Sequence, residues 1–416
     1  MHNHKESLNI VIDASWIADR NFTGQITGGA LRVVVEFLNQ LKNHPEHNFY
    51  LTYQGFLPED FENLNSFRTK HLNYPNIHVA AVKFDFLRFK TLRNVFIKSY
   101  RYFPIASFFC SVPKNILNKT DIYYSPVDAF PRTIRKNKKL IKFFTALDLI
   151  PLIKPDFSVQ FKEYTKKLYN SLPNDTFILA ISENTKRDIL KYRPDINPDK
   201  ISITYLGASG SFKHILDKDR IHSFLEKHSL LDNGYYLTIN AIAKYKNFEF
   251  ILDNFVEFCH EQGNNDVRLV VVGLSRDGSY KEQLVRKYGS NNQIIFLHNL
   301  SDEDLTLLYN GARAFLYMSH YEGFGLPILE AMQCGTPVIC SNSSSIPEVI
   351  GEAGLTCDPS DSIAFKMHLK ETSSNDTLLE VLREKGLIQS KKFSWEIYSA
   401  RVIAEFEKVT KSNKIS

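Results

Sequence analysis

The sequence predicts an α/β protein built from two open parallel β-sheets, each with helices on both faces. Short runs of apolar, β-branched residues alternate with longer amphipathic stretches, which is the pattern of parallel strands joined by crossover helices. This alternation occurs twice, with a change of character near residues 207–218. At 416 residues, the chain is also too long for one core, so two or three domains are expected.

The predicted strands fall into two groups along the chain. In the first half they are residues 8–14, 143–150 and 177–183, and in the second half they are residues 235–241, 267–273, 293–298, 314–319 and 337–341. Helical patterns separate most of them, for example at 31–42, 247–262 and 302–312. Because ligands bind beyond the carboxyl ends of parallel strands, a ligand shared by both domains is expected in the cleft between them.

Composition and charge restrict the class of protein. Hydrophobic residues make up 43% and charged residues 23%, as in an ordinary soluble protein. The five cysteines show no metal-ligand or CxxC spacing, and no apolar signal region or stretch of 18 apolar residues occurs, so a cytoplasmic location is expected. Residues 1–200 hold 29 basic against 19 acidic residues, whereas residues 201–416 hold 22 against 27. This asymmetry predicts two domains with different partners.

The segment HYEGFGLPILEAM (320–332) carries the strongest chemical signal. Glu322 lies on a loop that follows a predicted strand, and Pro327 is well placed near the start of the next helix. Helical side chains lean toward the N-terminus, so Glu330 is expected to point back toward the loop. The free N–H groups of the helix start favour a phosphate, and two carboxylates suit hydroxyl groups. The pattern therefore predicts a site for a nucleotide sugar.

The longer segment YEGFGLPILEAMQCGTPVICSNSSSIPEVIGEAG (321–354) resembles the signature of family 4 glycosyltransferases. Weaker similarity to the family covers nearly the whole chain, in segments 27–41, 143–157, 178–190, 203–209, 243–255, 270–284 and 393–409. The resemblance implies the GT-B fold, in which two Rossmann-like domains face a central cleft and a C-terminal helix crosses back to the first. The domain bounds it predicts are 1–206 for the N-terminal acceptor-side domain, 207–392 for the nucleotide-sugar-binding domain and 393–416 for the last helix.

The resemblance also implies a reaction and its residues. It implies retaining transfer of a hexose or 6-deoxyhexose from a nucleoside-diphosphate sugar to a saccharide or lipid-linked saccharide, in bacterial-type surface polysaccharide assembly. Glu322 would contact the transferred sugar, Glu330 would hold the donor ribose, and Lys246 would neutralise the departing diphosphate, with Asp148 as a further catalytic residue. The other donor-binding residues it implies are Gly28, Gly29, Lys244, Gly207, Leu147 and the backbone at Phe324, Gly325 and Leu326. Because lysine and the helix start supply positive charge, no metal and no other cofactor is expected.

Two positions depart from the family pattern. Asn240 and Ala241 stand where the family usually has an arginine, and Lys244 is the expected substitute. Leu147 stands where the family commonly has a histidine that bonds the 6-hydroxyl of the sugar. A leucine would favour a methyl group there, which predicts a 6-deoxyhexose donor. The competing interpretation is that Leu147 packs into the core and that a water or another side chain serves an ordinary hexose.

Structural interpretations compete with several of these roles. Lys246 and Lys244 suit a solvated helix start, Gly28 and Gly29 an ordinary turn, and Asp148 the capping of a strand end. The alternatives in function are a catalytically inactive sugar-binding scaffold and, less favoured, a glycoside hydrolase that uses the two carboxylates. A dehydrogenase is disfavoured because no GxGxxG follows an early strand.

A basic segment in the first half predicts contact with an anionic membrane surface. Residues 83–103 hold six basic residues against Asp85, interleaved with phenylalanine and leucine as in an interfacial helix. The six basic residues are Lys83, Arg88, Lys90, Arg93, Lys98 and Arg101. A solvated basic face is the alternative. Nucleic acid is not an expected partner, since no recognised binding module accompanies the charge.

Overall fold

A computed structural model provides the structure of the protein. It describes residues 6–19, 29–54, 58–81, 112–239, 243–263, 266–273 and 278–415. Gly28, Asn240, Ala241 and the basic segment 83–103 lie outside the described residues.

Within the described residues, the first sheet has seven parallel strands in the order β3-β2-β1-β4-β5-β6-β7. These are β1 (Asn9–Asp13), β2 (Asn48–Thr52), β3 (Ile77–Val79), β4 (Ile122–Ser125), β5 (Ile141–Ala146), β6 (Phe177–Ala180) and β7 (Ile201–Ile203). The helices of this half are Ser15–Ala18, Gly29–Gln40, Pro58–His71, Lys114–Leu117, Arg132–Lys136, Ile150–Ile153, Val159–Ser171 and Glu183–Tyr192. Because the strand order reverses between β1 and β4, a crevice opens at their carboxyl ends.

The second sheet has six parallel strands among the described residues, in the order β10-β9-β8-β11-β12-β13. These are β8 (Tyr235–Ile239), β9 (Arg268–Val272), β10 (Ile294–Leu297), β11 (Ala314–Tyr317), β12 (Val338–Ser341) and β13 (Leu355–Cys357). Its helices are Lys218–Lys227, Phe248–Gln262, Gly278–Tyr288, Asp302–Gly311, Leu326–Gln333, Ile346–Ile350, Ser362–Ser374 and Asp376–Ser390. Short 3₁₀ turns occur at Leu41–Asn43, Pro198–Lys200 and Lys244–Lys246. The predicted class, two parallel α/β sheets, is confirmed.

Strand β5 ends earlier than the sequence predicted. It stops at Ala146, and the side chain of Asp148 accepts a hydrogen bond from the backbone N–H of Ile150 at 3.0 Å. This bond turns the chain into the short helix Ile150–Ile153. Leu147 and Asp148 therefore lie on the loop at the carboxyl end of the strand, where ligands of such sheets bind.

The last helix, Trp395–Ile415, returns to the first sheet. Its Phe406 ring packs against Tyr124 of β4 and Phe143 of β5, at centroid distances of 5.3 and 4.6 Å. The helix start leaves no room beside Gly207, where an added Cβ would lie 2.4 Å from the backbone nitrogen of Trp395. The predicted crossing of the C-terminal helix is confirmed, while the domain bounds at 206/207 and 392/393 stay a prediction.

Apolar side chains cover both faces of each sheet. Along β11, Phe315 and Tyr317 join a cluster that extends between the two sheets, and Leu316 and Met318 join a second cluster on the other face. This alternation follows from the two-residue period of a strand. Among the described residues, no helix combines the length and apolarity that a membrane span requires.

Candidate active site

The loop after β11 leads directly into a helix, as its sequence predicted. The helix Leu326–Gln333 has Pro327 as its second residue, where the missing N–H costs nothing. Gly325 precedes it with φ of +125°, and Gly335 follows it with φ of +75°. Both backbone conformations favour glycine. The loop residues 320–325 are therefore held at the carboxyl end of the second sheet by local chain geometry.

Glu322 on this loop forms a buried ion pair with Lys246. The Lys246 Nζ lies 2.7 Å from each carboxylate oxygen, and the Tyr317 hydroxyl donates to Oε1 at 2.7 Å. Only 6% of Glu322 and 9% of Lys246 are exposed. Burial is the largest single influence and disfavours the charged lysine, but the charge and hydrogen bonds of Glu322, together with Tyr245 and Asp148, outweigh it, so the pKa of Lys246 is raised. Lys246 therefore stays charged beside the Glu322 carboxyl group.

Lys246 reaches this position from the end of a different strand. It closes the 3₁₀ turn Lys244–Lys246 that follows β8, and Asn247 with φ of +63° then starts the helix Phe248–Gln262. The side chain of Lys244 is exposed. Lys246 is therefore buried against Glu322, whereas Lys244 lies at the surface. The site roles of both lysines stay predictions.

Glu330 lies one turn into the helix Leu326–Gln333 and is 9% exposed. Its carboxylate accepts hydrogen bonds from the Tyr309 hydroxyl at 3.3 Å and from Arg32 Nη1 at 3.4 Å. Burial raises the pKa of Glu330 to about 7, although the charge of Arg32 opposes this shift. Arg32 belongs to the helix Gly29–Gln40 of the first domain, so the two halves of the molecule meet at this carboxylate.

The loop that carries Glu322 also contacts the first domain directly at Gly323. A Cβ added there would lie 2.6 Å from the carbonyl oxygen of Leu147 and 2.9 Å from the Cβ of Asp148. The Ser182 hydroxyl donates to the Gly323 carbonyl at 2.8 Å. Burial raises the pKa of Asp148 to about 6, while the Ile150 N–H and the Lys246 charge lower it. Asp148 therefore shares one electrostatic environment with Lys246 and Glu322.

The remaining predicted residues have varied surroundings. Leu326, at the helix start, faces Gly29, with 3.9 Å between its Cδ1 and a Cβ added at that glycine. The Phe324 ring is buried and packs against Tyr205 and Phe393 at 6.1 and 5.9 Å. The half-buried side chain of Leu147 packs against the core cluster. Their roles toward a donor, like that of Gly207, stay predictions.

Sequence reasoning missed four residues that support the site. Tyr317 and Tyr309 donate to the two carboxylates, and Arg32 joins Glu330 from the first domain. Glu348 accepts hydrogen bonds from the backbone N–H groups of Glu183 and Asn184 across the cleft. The sequence did contain a signal for two of these residues. Arg32 follows the glycine pair of segment 27–41, and Glu348 is the glutamate of the PEV motif in the segment that resembles the family signature.

The arrangement combines two carboxylates, an ammonium group and the N-terminus of a helix on one side of a cleft, with Asp148 on the other. A carboxylate accepts bonds from hydroxyl groups, and an ammonium beside helix N–H groups stabilises a leaving phosphate. This geometry fits a donor whose transferred group carries hydroxyls and whose leaving group is a phosphate. The fold and the site thus define a two-domain transferase with a closed cleft.

Comparison with known proteins gives the family. The family model for group 1 glycosyl transferases matches residues 222–388. The chain is 33% identical over 293 residues to O-antigen chain mannosyltransferase B of Escherichia coli, covering 70% of this chain and 74% of that protein. Among solved structures, a glycosyltransferase of Rickettsia africae has 18% identity and a TM-score of 0.69, covering 97% of this chain and 99% of the other. HepE of Anabaena, solved with UDP-glucose, has 14% identity and a TM-score of 0.63, covering 96% and 99%.

The chain belongs to the group 1 glycosyltransferase family, and its fold is that of the GT-B enzymes. The predicted group 1 membership and fold class are thereby confirmed, whereas the assignment to family 4 stays a prediction.

Proposed function

We propose that this protein is a retaining hexosyltransferase that uses a nucleoside-diphosphate sugar as donor. The observation that carries the proposal is the buried Lys246–Glu322 pair, with both Nζ–O distances at 2.7 Å, beside the start of the helix that holds Glu330. A dianionic diphosphate needs positive charge as it leaves, and Lys246 is the buried cation at that place.

Each residue has a distinct role in the proposed reaction. The bond between the anomeric carbon and the diphosphate oxygen breaks, and the electron pair leaves with the diphosphate, which Lys246 and the helix N–H groups stabilise. The acceptor hydroxyl oxygen forms the new bond to the anomeric carbon on the same face, and its proton passes to the departing diphosphate. Glu322 stabilises the positive charge that develops at the anomeric carbon. Glu330 accepts hydrogen bonds from the ribose hydroxyls. Asp148 faces the same volume from the first domain, with a pKa of about 6. These groups supply the charges without a metal ion.

The sugar we propose first is mannose. A relative that covers 70% of this chain is named an O-antigen chain mannosyltransferase, which supports a mannosyl donor and a saccharide acceptor in surface polysaccharide assembly. The structural neighbour that holds UDP-glucose supports a nucleoside-diphosphate donor. Leu147 favours a second candidate, a 6-deoxyhexose, because it replaces a hydrogen-bonding group with an apolar one.

A donor screen without acceptor tests the reaction and the sugar together. Purified protein is incubated with a panel of UDP-, GDP- and dTDP-linked sugars, and binding and slow hydrolysis are measured. We expect binding of one nucleotide series, with the mannosyl donor hydrolysed fastest and the anomeric configuration retained. A preference for rhamnosyl or fucosyl donors would select the 6-deoxyhexose instead.

Two variants separate the enzyme from the alternatives. Glu322→Ala should abolish hydrolysis and keep nucleotide binding, whereas Glu352→Ala, an exposed glutamate outside the cleft, should behave as the wild type. Binding without hydrolysis or transfer by the wild type would identify an inactive scaffold. Cleavage of glycosides that lack a nucleotide would identify a hydrolase.

A further inference from the structure

Arg32 is enclosed at the boundary between the two domains. Its guanidinium lies 5.8 Å from the ring centroid of Phe212, in the segment that links the two sheets. Nη2 lies 3.2 Å from Asp302 Oδ2, and Nη1 lies 3.4 Å from Glu330 Oε1. Only 13% of the arginine side chain is exposed. A first-domain cation is thus fixed against a second-domain carboxylate.

The positive charge of Arg32 favours the ionised form of Glu330. Among the described residues, the groups that face this carboxylate are Arg32, Asp302, the Tyr309 hydroxyl and the thiol of Cys334. Burial, with a smaller contribution from the Asp302 charge, raises the pKa of Glu330 to about 7, against the opposing effects of the Arg32 charge and the hydrogen bond from Tyr309. Burial also raises the pKa of Cys334 far above neutral, so its thiol stays uncharged. Within the part of the chain that the structure describes, the Tyr309 hydroxyl is the other named partner that favours the ionised form of Glu330.

The ionised form matters for the role that Glu330 has in the proposed function. A carboxylate accepts hydrogen bonds at both oxygens, whereas a protonated carboxyl group uses one oxygen as a donor. Two neighbouring hydroxyls of a ribose need two acceptors. Glu330 therefore suits a nucleotide only when it is ionised.

We propose that Arg32 is a positioning residue of the donor site, which favours the carboxylate form of Glu330 while the first domain lies against the second. This inference rests on the proposed function for the identity of the ligand, a nucleoside diphosphate. It extends that function because it makes donor affinity depend on a residue of the opposite domain. Nucleotide binding and closure of the cleft then favour each other, since each is strengthened by the same ion pair.

The electrostatic step is tested without any ligand. Protein labelled with [5-¹³C]glutamate is titrated by NMR, and the Glu330 signal is assigned by its loss in Glu330→Gln. We expect Arg32→Gln to raise the Glu330 midpoint by about one unit or more, the usual effect of removing an opposite charge at this range. Arg32→Lys should restore most of the shift, and Arg286→Gln, which removes an exposed arginine paired with Glu282, should leave the midpoint unchanged. An unchanged midpoint in Arg32→Gln overturns the inference.

The binding step uses UDP, GDP and ADP as probes, with affinity measured from pH 6 to pH 9. Glu330 binds protons below its midpoint, so affinity should fall as pH decreases, and it should fall at a higher pH in Arg32→Gln. For a midpoint shift of one to two units, the variant binds about five- to fifty-fold more weakly at pH 7 and within about twofold of the wild type at pH 9. An equal loss at every pH would show a merely structural role and overturn the inference.

The two proposals fail in different ways. If the NMR shift occurs but wild-type protein binds none of the three nucleotides, the proposed function fails while the coupling of Arg32 to Glu330 stands. If nucleotide binds and Arg32→Gln behaves as the wild type at every pH, the inference fails and the proposed function stands.

Discussion

At the scale of single residues, Lys246 and Glu322 depend on each other. Each is more than nine-tenths buried, and each neutralises the charge of the other. Removing one partner leaves a buried charge without compensation, which costs far more than removing both. The pair is therefore expected to contribute to folding as well as to the reaction.

Lys246→Ala should lower the free energy of unfolding by about 3–5 kcal/mol, whereas the double variant Lys246→Met/Glu322→Leu should lose much less. Urea unfolding measures both. In the donor assay, Lys246→Ala should also cost about 2–4 kcal/mol in transition-state stabilisation, comparable to losing another donor at a developing charge.

Lys218→Ala is the matched control, since Lys218 pairs with Asp232 at 3.5 Å on the surface. It should cost less than about 1 kcal/mol. Equal costs for Lys246→Ala and Lys218→Ala would contradict the mutual dependence of the buried pair.

At the scale of elements, the helix Glu183–Tyr192 of the first domain has its start capped by the second domain. Glu348 Oε2 accepts from the Glu183 N–H at 2.7 Å, and Oε1 accepts from the Asn184 N–H at 2.9 Å. The Ser182 hydroxyl accepts from the Thr185 N–H at 3.0 Å. A negative charge here satisfies N–H groups that the helix leaves free and complements its dipole.

Glu348→Ala should therefore cost about 1–3 kcal/mol of stability, because it leaves two backbone donors without their charged acceptor. It should also lower kcat more than it changes KM for the donor, since the same contact holds the cleft closed. Glu348→Gln should retain part of the stability and part of the kcat. Glu352→Ala, which changes an exposed residue, should retain the wild-type values of both. Equal activity in Glu348→Ala and Glu352→Ala would show that the cap does not support the site.

The loop that carries Glu322 fits against the first domain only because residue 323 is a glycine. Gly323→Ala places a Cβ 2.6 Å from the Leu147 carbonyl oxygen, and the contacting atom is backbone that cannot move away freely. We expect a loss of activity of about tenfold or more with a smaller effect on nucleotide binding, since displacing reacting groups by about 1 Å costs rate on this order or above.

Gly210→Ala serves as the control for the Gly323 variant. An added Cβ at Gly210 meets nothing within 4 Å, so kinetics and melting temperature should stay unchanged. Wild-type turnover in Gly323→Ala would show that the close approach has no catalytic role.

At the scale of the whole molecule, charge is unevenly distributed between the two halves. The first 200 residues carry a net charge of +10 and the rest −5. We propose that the basic half, through segment 83–103, brings the enzyme to an anionic membrane surface where a lipid-linked acceptor would lie. Each basic residue near such a surface contributes about 1 kcal/mol.

Co-sedimentation should show binding to vesicles with phosphatidylglycerol and little binding to neutral vesicles, with a loss at high salt. Neutralising Lys90 and Arg93 should weaken binding about tenfold or more, whereas neutralising the exposed Lys391 and Lys392 of the second half should not. Binding that is indifferent to anionic lipid would contradict the proposal.

Much of the second domain could be read from the sequence. The loop and helix around Glu322 and Glu330 depend on residues close together in the chain, namely the glycines and Pro327, so local backbone preferences determine them. Strands with a clear apolar pattern, such as β9 and β11, were predicted within two residues of their ends. Strands β2, β3, β4, β7 and β13 were not predicted, and β3, β7 and β13 have three residues each, which show too little alternation to be recognised.

Only the tertiary structure decided which side chains meet. Lys246 and Glu322 are 76 residues apart, Arg32 and Glu330 are 298 apart, and Glu348 and Glu183 are 165 apart. The order of strands in the two sheets and the packing of one domain on the other bring these groups together. The sequence alone determined the family, the α/β class and the acidic loop-helix, since those depend on local pattern. The ion pairs and caps across the cleft depend on long-range packing, whose geometry no local pattern contains.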